Sequence, residues 1–376
     1  MSREEVQAAK TTRPSVAANA DVVIARTDRM RLDAPQGVLA EQAPPAAQAF
    51  DYHAIKGVLP TVLTPFDDND QIEVEAVEAQ VKYLLEAGVN GLVLMGSFGE
   101  SPYLSDADRE IMLRAAVEVA GGAVPIVVGI TALSTHVAAE QLRQAHRLGA
   151  SAVMACLPIY YKLDFADVKR HFARLAAMSL LPVFYYHYPA VSGLDLKPAQ
   201  IAELLAIPNV VGIKESTLDM HAIRRHIQLT RELDRVYLSG SEFIFTQFMD
   251  LGGHGTVSGG SLLMPRTAVA MYQAYQSGDK ARARELQSRI FEVMPALKST
   301  HAPIALVRPA FMLALRQGLE IRVDAEPTHA RLKAALARRG IPIKPIVRSP
   351  LPQLTPADER AVNEAMARIE ELEASS

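Results

Sequence analysis

A lysine closes an apolar run at Val211-Gly212-Ile213-Lys214-Glu215-Ser216. Lysine is almost never fully buried without a partner. If the run is a buried strand, desolvation lowers the amine's pKa and leaves a nucleophile that can form a Schiff base with a carbonyl. A structural ion pair with a neighbouring carboxylate is the other reading of Lys214. Tyrosines end two comparable runs, Leu157-Pro158-Ile159-Tyr160-Tyr161-Lys162 and Phe184-Tyr185-Tyr186-His187-Tyr188-Pro189. A buried phenol beside a charge can relay protons, although aromatic residues at strand ends also serve packing. At Gly96-Ser97-Phe98-Gly99-Glu100-Ser101 two glycines flank a hydroxyl just before a helix. Backbone N–H groups and the helix dipole there suit a carboxylate or phosphate, and a plain tight turn fits equally. Glu100 heads that helix, where a carboxylate is favoured whatever the function. Cys156 reads as core, His187 as a hydrogen-bonded histidine at a strand end, and His254 as a structural residue in a tight turn. The small residues Ser258, Gly259 and Gly260 leave room for a ligand.

These groups need a scaffold that gathers strand ends. Apolar, often β-branched runs at 57–61, 91–95, 125–129, 152–156, 182–186, 210–214, 236–239 and 255–258 read as strands buried on both faces. Helical patterns follow at about 74–88, 105–121, 134–149, 164–178, 196–206, 219–233, 242–251 and 263–277. Ser105, Ser134, Asp164 and Asp219 stand where N-caps belong, and Gly88 and Gly149 where C-cap glycines belong. Eight strand-then-helix units are the count at which a parallel sheet closes into a barrel, with the active site at the strand C-termini. The expected fold class is therefore α/β, a (β/α)8 TIM barrel over 51–278, with a C-terminal helical region over 279–376. Helical patterns continue there at about 279–296, 301–317, 326–339 and 355–373. That region carries no recognisable chemical motif, and reads as a cover for the barrel or a subunit interface. Residues 1–50, rich in Ala, Gln and Pro and without a sustained period, read as a flexible extension.

Composition narrows the function. The 376 residues are 49% hydrophobic and 22% charged, with a net charge of −3, so no basic excess favours nucleic acid. One cysteine excludes an internal disulfide framework and a cysteine-built zinc site and fits a reducing, cytoplasmic setting. No apolar run reaches the roughly 18–20 residues of a membrane span.

Taken in order, the marks resemble the dihydrodipicolinate synthase and N-acetylneuraminate lyase family. They are Thr64-Pro65-Phe66, the 96–100 turn, Gly129-x-Thr131, Pro158-x-Tyr160-Tyr161, Tyr186-x-x-Pro189 and Gly212-Ile213-Lys214-Glu215-Ser216. The resemblance covers roughly residues 55–350. It implies a class I lyase that handles pyruvate on an eight-fold barrel. Lys214 matches the Schiff-base lysine, Tyr186 the proton-passing tyrosine, Ser97 the hydroxyl linking it to a relay, and Tyr160 the relay tyrosine that reaches in from a neighbouring subunit. It further implies substrate contacts from Phe98, Gly99, Val191, Ser216, Gly240, Glu242, Phe243 and Val257. The carboxylate is expected on backbone N–H groups at the helix N-terminus after Gly99.

Departures bear on the substrate. Phe98 stands where the family usually has a second hydroxyl for the carboxylate, as in hydratase-aldolases of aromatic pyruvate adducts. Val191 stands where the synthases place an arginine, which disfavours aspartate semialdehyde. Pro189-Ala190-Val191-Ser192-Gly193 resembles the neuraminate lyase branch. Glu242 keeps one acidic ligand of that branch, and Phe243 replaces a second. The implied reaction joins or splits pyruvate, or another 2-oxo acid, and an aldehyde. No cofactor or metal is required, and the partner is a second copy in a homodimer or homotetramer. The alternatives are a dehydratase of a 3-deoxy-2-oxo sugar acid and a non-catalytic 2-oxo-acid-binding relative.

Overall fold

Eight parallel strands pair in the order β1-β8-β7-β6-β5-β4-β3-β2. They are β1 (Gly57–Val58), β2 (Leu92–Leu94), β3 (Ile126–Ile130), β4 (Ala152–Cys156), β5 (Val183–His187), β6 (Val210–Glu215), β7 (Val236–Ser239) and β8 (Gly255–Thr256). The ring closes just beyond β1, where Thr61 bridges Val93 in parallel and Val62 N–H donates to the Val93 carbonyl at 2.9 Å. The computed structural model describes residues 50–157, 160–294, 304–317, 321 and 327–374. The expected N-terminal extension, apart from Phe50, and Pro158 of the tyrosine motif lie outside the described residues.

The helices of the barrel layer are α1 (Val74–Glu86), α2 (Asp106–Ala120), α3 (Thr135–Arg147), α4 (Phe165–Met178), α5 (Pro189–Ser192), α6 (Pro198–Leu205), α7 (Met220–Thr230), α8 (Phe245–Asp250), α9 (Gly260–Leu263) and α10 (Pro265–Gln276). Beyond the barrel come α11 (Lys280–Ile290), α12 (Ile304–Gln317), α13 (His329–Arg338) and α14 (Pro356–Ala374). Local chemistry explains the starts. Ser105 caps α2 in a reciprocal capping box with Asp108, and Ser134, Asp164 and Asp219 accept N–H bonds from the first turns of α3, α4 and α7. Gly88 and Gly149 take positive φ just past α1 and α3, where other residues would be strained.

Strand alternation divides the core in two. Leu59, Val93, Val127, Met154, Phe184, Leu238 and Val257 fill the barrel interior. Their neighbours in sequence face a second cluster between sheet and helices, which runs from Val58 through the C-terminal helices to Ile369. Gly212 makes the interior arrangement possible, because a Cβ there would collide with the Val236 carbonyl and the Phe184 ring. Register then sets Cys156, Tyr186, Lys214 and Leu238 on one rung, facing inward near the C-terminal end of the barrel.

Candidate active site

Lys214 is 6% exposed, and its ammonium nitrogen lies 4.1 Å from the centroid of the Tyr186 ring. Among the described residues no carboxylate lies within ion-pair distance of it. Burial therefore pushes its pKa down from 10.5 to about 7, with only a small opposing effect from Cys156. The Tyr186 phenol is pushed the other way, above its ordinary value, by burial; hydrogen bonds from Ser97 and Ser216 oppose this. Its hydroxyl lies 3.2 Å from Ser97 Oγ. Burial pushes the Cys156 thiol up to about 11, which makes it a core sulfhydryl rather than a nucleophile. An amine and a phenol thus share one enclosed rung, and the Ser97 hydroxyl reaches the phenol from the turn after β2.

Backbone bonds hold the strand ends in step. Ser216 N–H donates to the His187 carbonyl (2.9 Å), Gly240 N–H to the Glu215 carbonyl (2.6 Å) and Val257 N–H to the Ser239 carbonyl (2.8 Å). Gly240 packs so closely that a Cβ would collide with Ser216 Oγ. Ser216, Gly240 and Val257 therefore lie at the same end of β6, β7 and β8 as Lys214. Val191 sits half-buried in α5, with its N–H on the Tyr188 carbonyl (3.1 Å). His187 turns outward and bonds the Tyr185 hydroxyl at 2.9 Å, and His254 accepts the Tyr237 N–H at 3.1 Å.

The turn after β2 differs from the helix N-terminus expected from its sequence. Gly99 N–H goes to the Gly96 carbonyl (3.0 Å), Glu100 N–H to the Ser97 carbonyl (3.1 Å) and Ser101 N–H to the Gly96 carbonyl (3.4 Å). Those three donors are consumed inside the turn, and α2 starts later under its own cap. The amides of Ser97 and Phe98 make no hydrogen bond among the described residues, so the donors available to an anion sit two residues earlier than expected. Thr64 Oγ1 donates to the Gly99 carbonyl at 2.7 Å and pins the turn from β1's side. Glu100 does not head a solvent-facing helix. It is fully buried at φ 56°, and its carboxylate meets Lys333 Nζ at 2.5 Å.

Four sequence candidates stand apart from the Lys214 rung. Phe243 points into the helix layer, with its ring 4.5 Å from Phe291 and 6.5 Å from Phe311. The cause is local: Ser241 caps a 3-10 turn at Glu242–Ile244 that directs this side chain towards α11 and α12. Glu242 is 2% exposed and engaged by the Ser258 hydroxyl and the Gly260 N–H. Tyr160 is 75% exposed, stacked edge-on against Tyr161 with ring centroids 4.9 Å apart, and its hydroxyl has no hydrogen bond among the described residues. The ring of Phe98 turns towards α13 and meets His329 edge-on at 6.3 Å.

Sequence reasoning missed His329 and Lys333. His329 Nε2 bonds the Ser97 carbonyl at 2.9 Å, and Lys333 also donates to the Ile346 carbonyl at 2.5 Å. A signal existed: the two polar residues stand four apart, hence on one helix face, and that face is the buried one. Arg109 was missed as well. It is buried and donates to the Gly129 carbonyl (2.6 Å) and to Ser101 Oγ (3.3 Å) behind the turn.

Comparison with known proteins decides the family. The profile of the Dihydrodipicolinate synthetase family matches residues 54–323. The chain belongs to this family. An uncharacterised DapA-like lyase of Halobacterium salinarum is 32% identical over 329 residues, covering 86% of this chain and 97% of the relative. The 4-hydroxy-tetrahydrodipicolinate synthase of Methanospirillum hungatei is 33% identical over 288 residues, covering 75% and 99%. Among solved structures, the catalytic lysine mutant of Ruminococcus gnavus sialic acid aldolase superposes with a TM-score of 0.74 at 25% identity, covering 86% of this chain and 99% of that one. As a dihydrodipicolinate synthetase family member the protein is a lyase of the aldolase type. Among the described residues no helix is long and apolar enough to cross a membrane.

Proposed function

We propose that Lys214 forms an imine with the keto carbon of pyruvate, or of another 2-oxo acid, and that the derived enamine makes or breaks a C–C bond with an aldehyde. The observation that carries this is a buried lysine without a carboxylate partner, its pKa brought down to about 7. Near neutrality a free-amine population is available to attack. Attack at the keto carbon gives a carbinolamine. The Tyr186 phenol, kept protonated by burial, lends its proton to the departing hydroxyl as water leaves. The protonated imine then accepts an electron pair, in condensation from a methyl C–H bond whose proton returns to the Tyr186 phenolate and in cleavage from the C–C bond β to the imine carbon, and the Ser97 hydroxyl at 3.2 Å hydrogen-bonds the Tyr186 oxygen throughout. The lysine chemistry has a parallel in the sialic acid aldolase neighbour, whose mutant is described as a catalytic lysine mutant.

The aldehyde would lie over the ends of β5 to β8, against Val191, Ser216, Gly240 and Val257. Val191 offers no cation, which favours an aldehyde without a carboxylate at that end. Phe243 and Glu242 serve the scaffold in this reading, because one packs on Phe291 and the other is engaged by Ser258. Exposed Tyr160 is the residue that a second copy would deliver, so the active form is a homodimer or homotetramer acting in the cytoplasm.

Cyanoborohydride trapping with pyruvate, read by intact mass and peptide mapping, tests the reading. A pyruvyl adduct on Lys214, absent from Lys214→Ala, is the expected result. No adduct from pyruvate or from a panel of 2-oxo acids overturns it and leaves a non-catalytic relative.

A further inference from the structure

The peptide between Ser97 and Phe98 has its two polar ends in different worlds. Its carbonyl accepts from Glu100 N–H inside the turn (3.1 Å) and from His329 Nε2 of α13 (2.9 Å). Its N–H, on Phe98, makes no hydrogen bond among the described residues. In a trans peptide the carbonyl and the N–H point in opposite directions. Whatever fixes the carbonyl therefore fixes where that N–H donor aims. We infer that His329 is a positioning residue for the substrate: by holding the Ser97 carbonyl on the α13 side, it aims the Phe98 N–H away from α13 as a donor for the carboxylate of a 2-oxo acid. This rests on the 2-oxo-acid reading above.

The chemistry of each partner agrees. A carbonyl can only accept, so His329 must carry its proton on Nε2. Burial lowers the His329 pKa, which favours the neutral ring, and the bond to the Ser97 carbonyl selects the Nε2–H tautomer. Phe98 then has a role that its sequence position hides. Its ring stands edge-on to His329 at 6.3 Å and braces the imidazole. The residue that lacks a carboxylate-binding hydroxyl thus supports the group that orients its own amide. Four residues along α13, Lys333 anchors the same turn through Glu100, which holds a left-handed backbone at φ 56°. The Arg348 amide adds a second bond to Glu100 at 3.0 Å.

The test compares His329→Leu, which keeps bulk and loses the donor, with His329→Gln, which restores an N–H. Trapping is measured against pyruvate and against methyl pyruvate, whose ester carries no charge. The expected result is a half-saturating pyruvate concentration raised about 10-fold in His329→Leu, no comparable change for methyl pyruvate, and partial recovery in His329→Gln. Equal shifts for both ligands, or no shift, overturn the inference, since a merely structural residue does not distinguish a carboxylate from its ester. Hydrogen exchange over residues 96–103 supplies a readout independent of catalysis. If the wild type traps no 2-oxo acid, the proposed function falls, and unchanged exchange in His329→Leu would overturn the positioning role by itself.

Discussion

Among the described residues two lysines are buried, and they do opposite things. Lys214 in β6 and Lys333 in α13 are both nearly inaccessible, and each lies over an aromatic ring, Tyr186 at 4.1 Å and Phe66 at 4.7 Å. Burial lowers the pKa of both. Lys333 faces Glu100 at 2.5 Å, and this carboxylate opposes the desolvation. Lys214 has only Cys156 to oppose its descent to about 7. The difference teaches that burial alone does not create a reactive amine. A missing anion does, and the same lysine with its anion becomes an anchor.

The largest break in this comparison is chemical. Lys214→Ala should reduce exchange of the pyruvate methyl protons with solvent, followed by NMR in D2O, by about 10³-fold or more, while Lys333→Met retains measurable exchange. Next is a stability effect of opposite ownership. Lys333→Met leaves Glu100 buried without its cation, and should cost about 3–5 kcal/mol in denaturant melts. The double variant Glu100→Gln with Lys333→Met should recover most of that loss, because no isolated charge remains. Lys214→Met should instead stabilise the fold, by about 1–2 kcal/mol, since a lone buried amine is a cost the active site carries.

The sign of its pH dependence follows. Native Lys214 holds its proton to about pH 7, whereas an unfolded lysine holds it to 10.5. Below pH 7 the folded state bears the full cost of a buried ammonium, and the cost fades as pH rises towards 10.5. The stabilisation in Lys214→Met should therefore shrink with rising pH. The smallest effect sharpens the same point: the wild-type trapping rate should fall about tenfold per pH unit below 7 and level off above it.

Much of this was legible in the sequence. Lys214 directly follows four apolar or glycine residues, Val210 to Ile213, inside β6, and that oddity marked it. Ser105, Ser134, Asp164 and Asp219 announced helix starts through cap chemistry that acts within three residues. Local signals of this kind survive reading one residue at a time. The anchor around Glu100 did not, because Lys333, His329 and Arg348 approach it from more than 200 positions away. Phe243 misled for a related reason. Its place after β7 fits a pocket wall, and only a 3-10 turn sends its ring to Phe291. The 96–101 turn was seen as an anion site, but which amides stay free depends on how the turn folds back on its own carbonyls.

The reach of His329 to Ser97, across 232 positions of chain, has a consequence for synthesis. A ribosome adding about 5–20 residues per second finishes Lys214 roughly 6–23 s before it reaches His329. During that interval the growing chain owns its amine but not the residue that holds the Ser97 carbonyl. A nascent barrel halted before α13 is thus a protein with a nucleophile and an unaimed amide, and helices made after the barrel are the ones that finish the site.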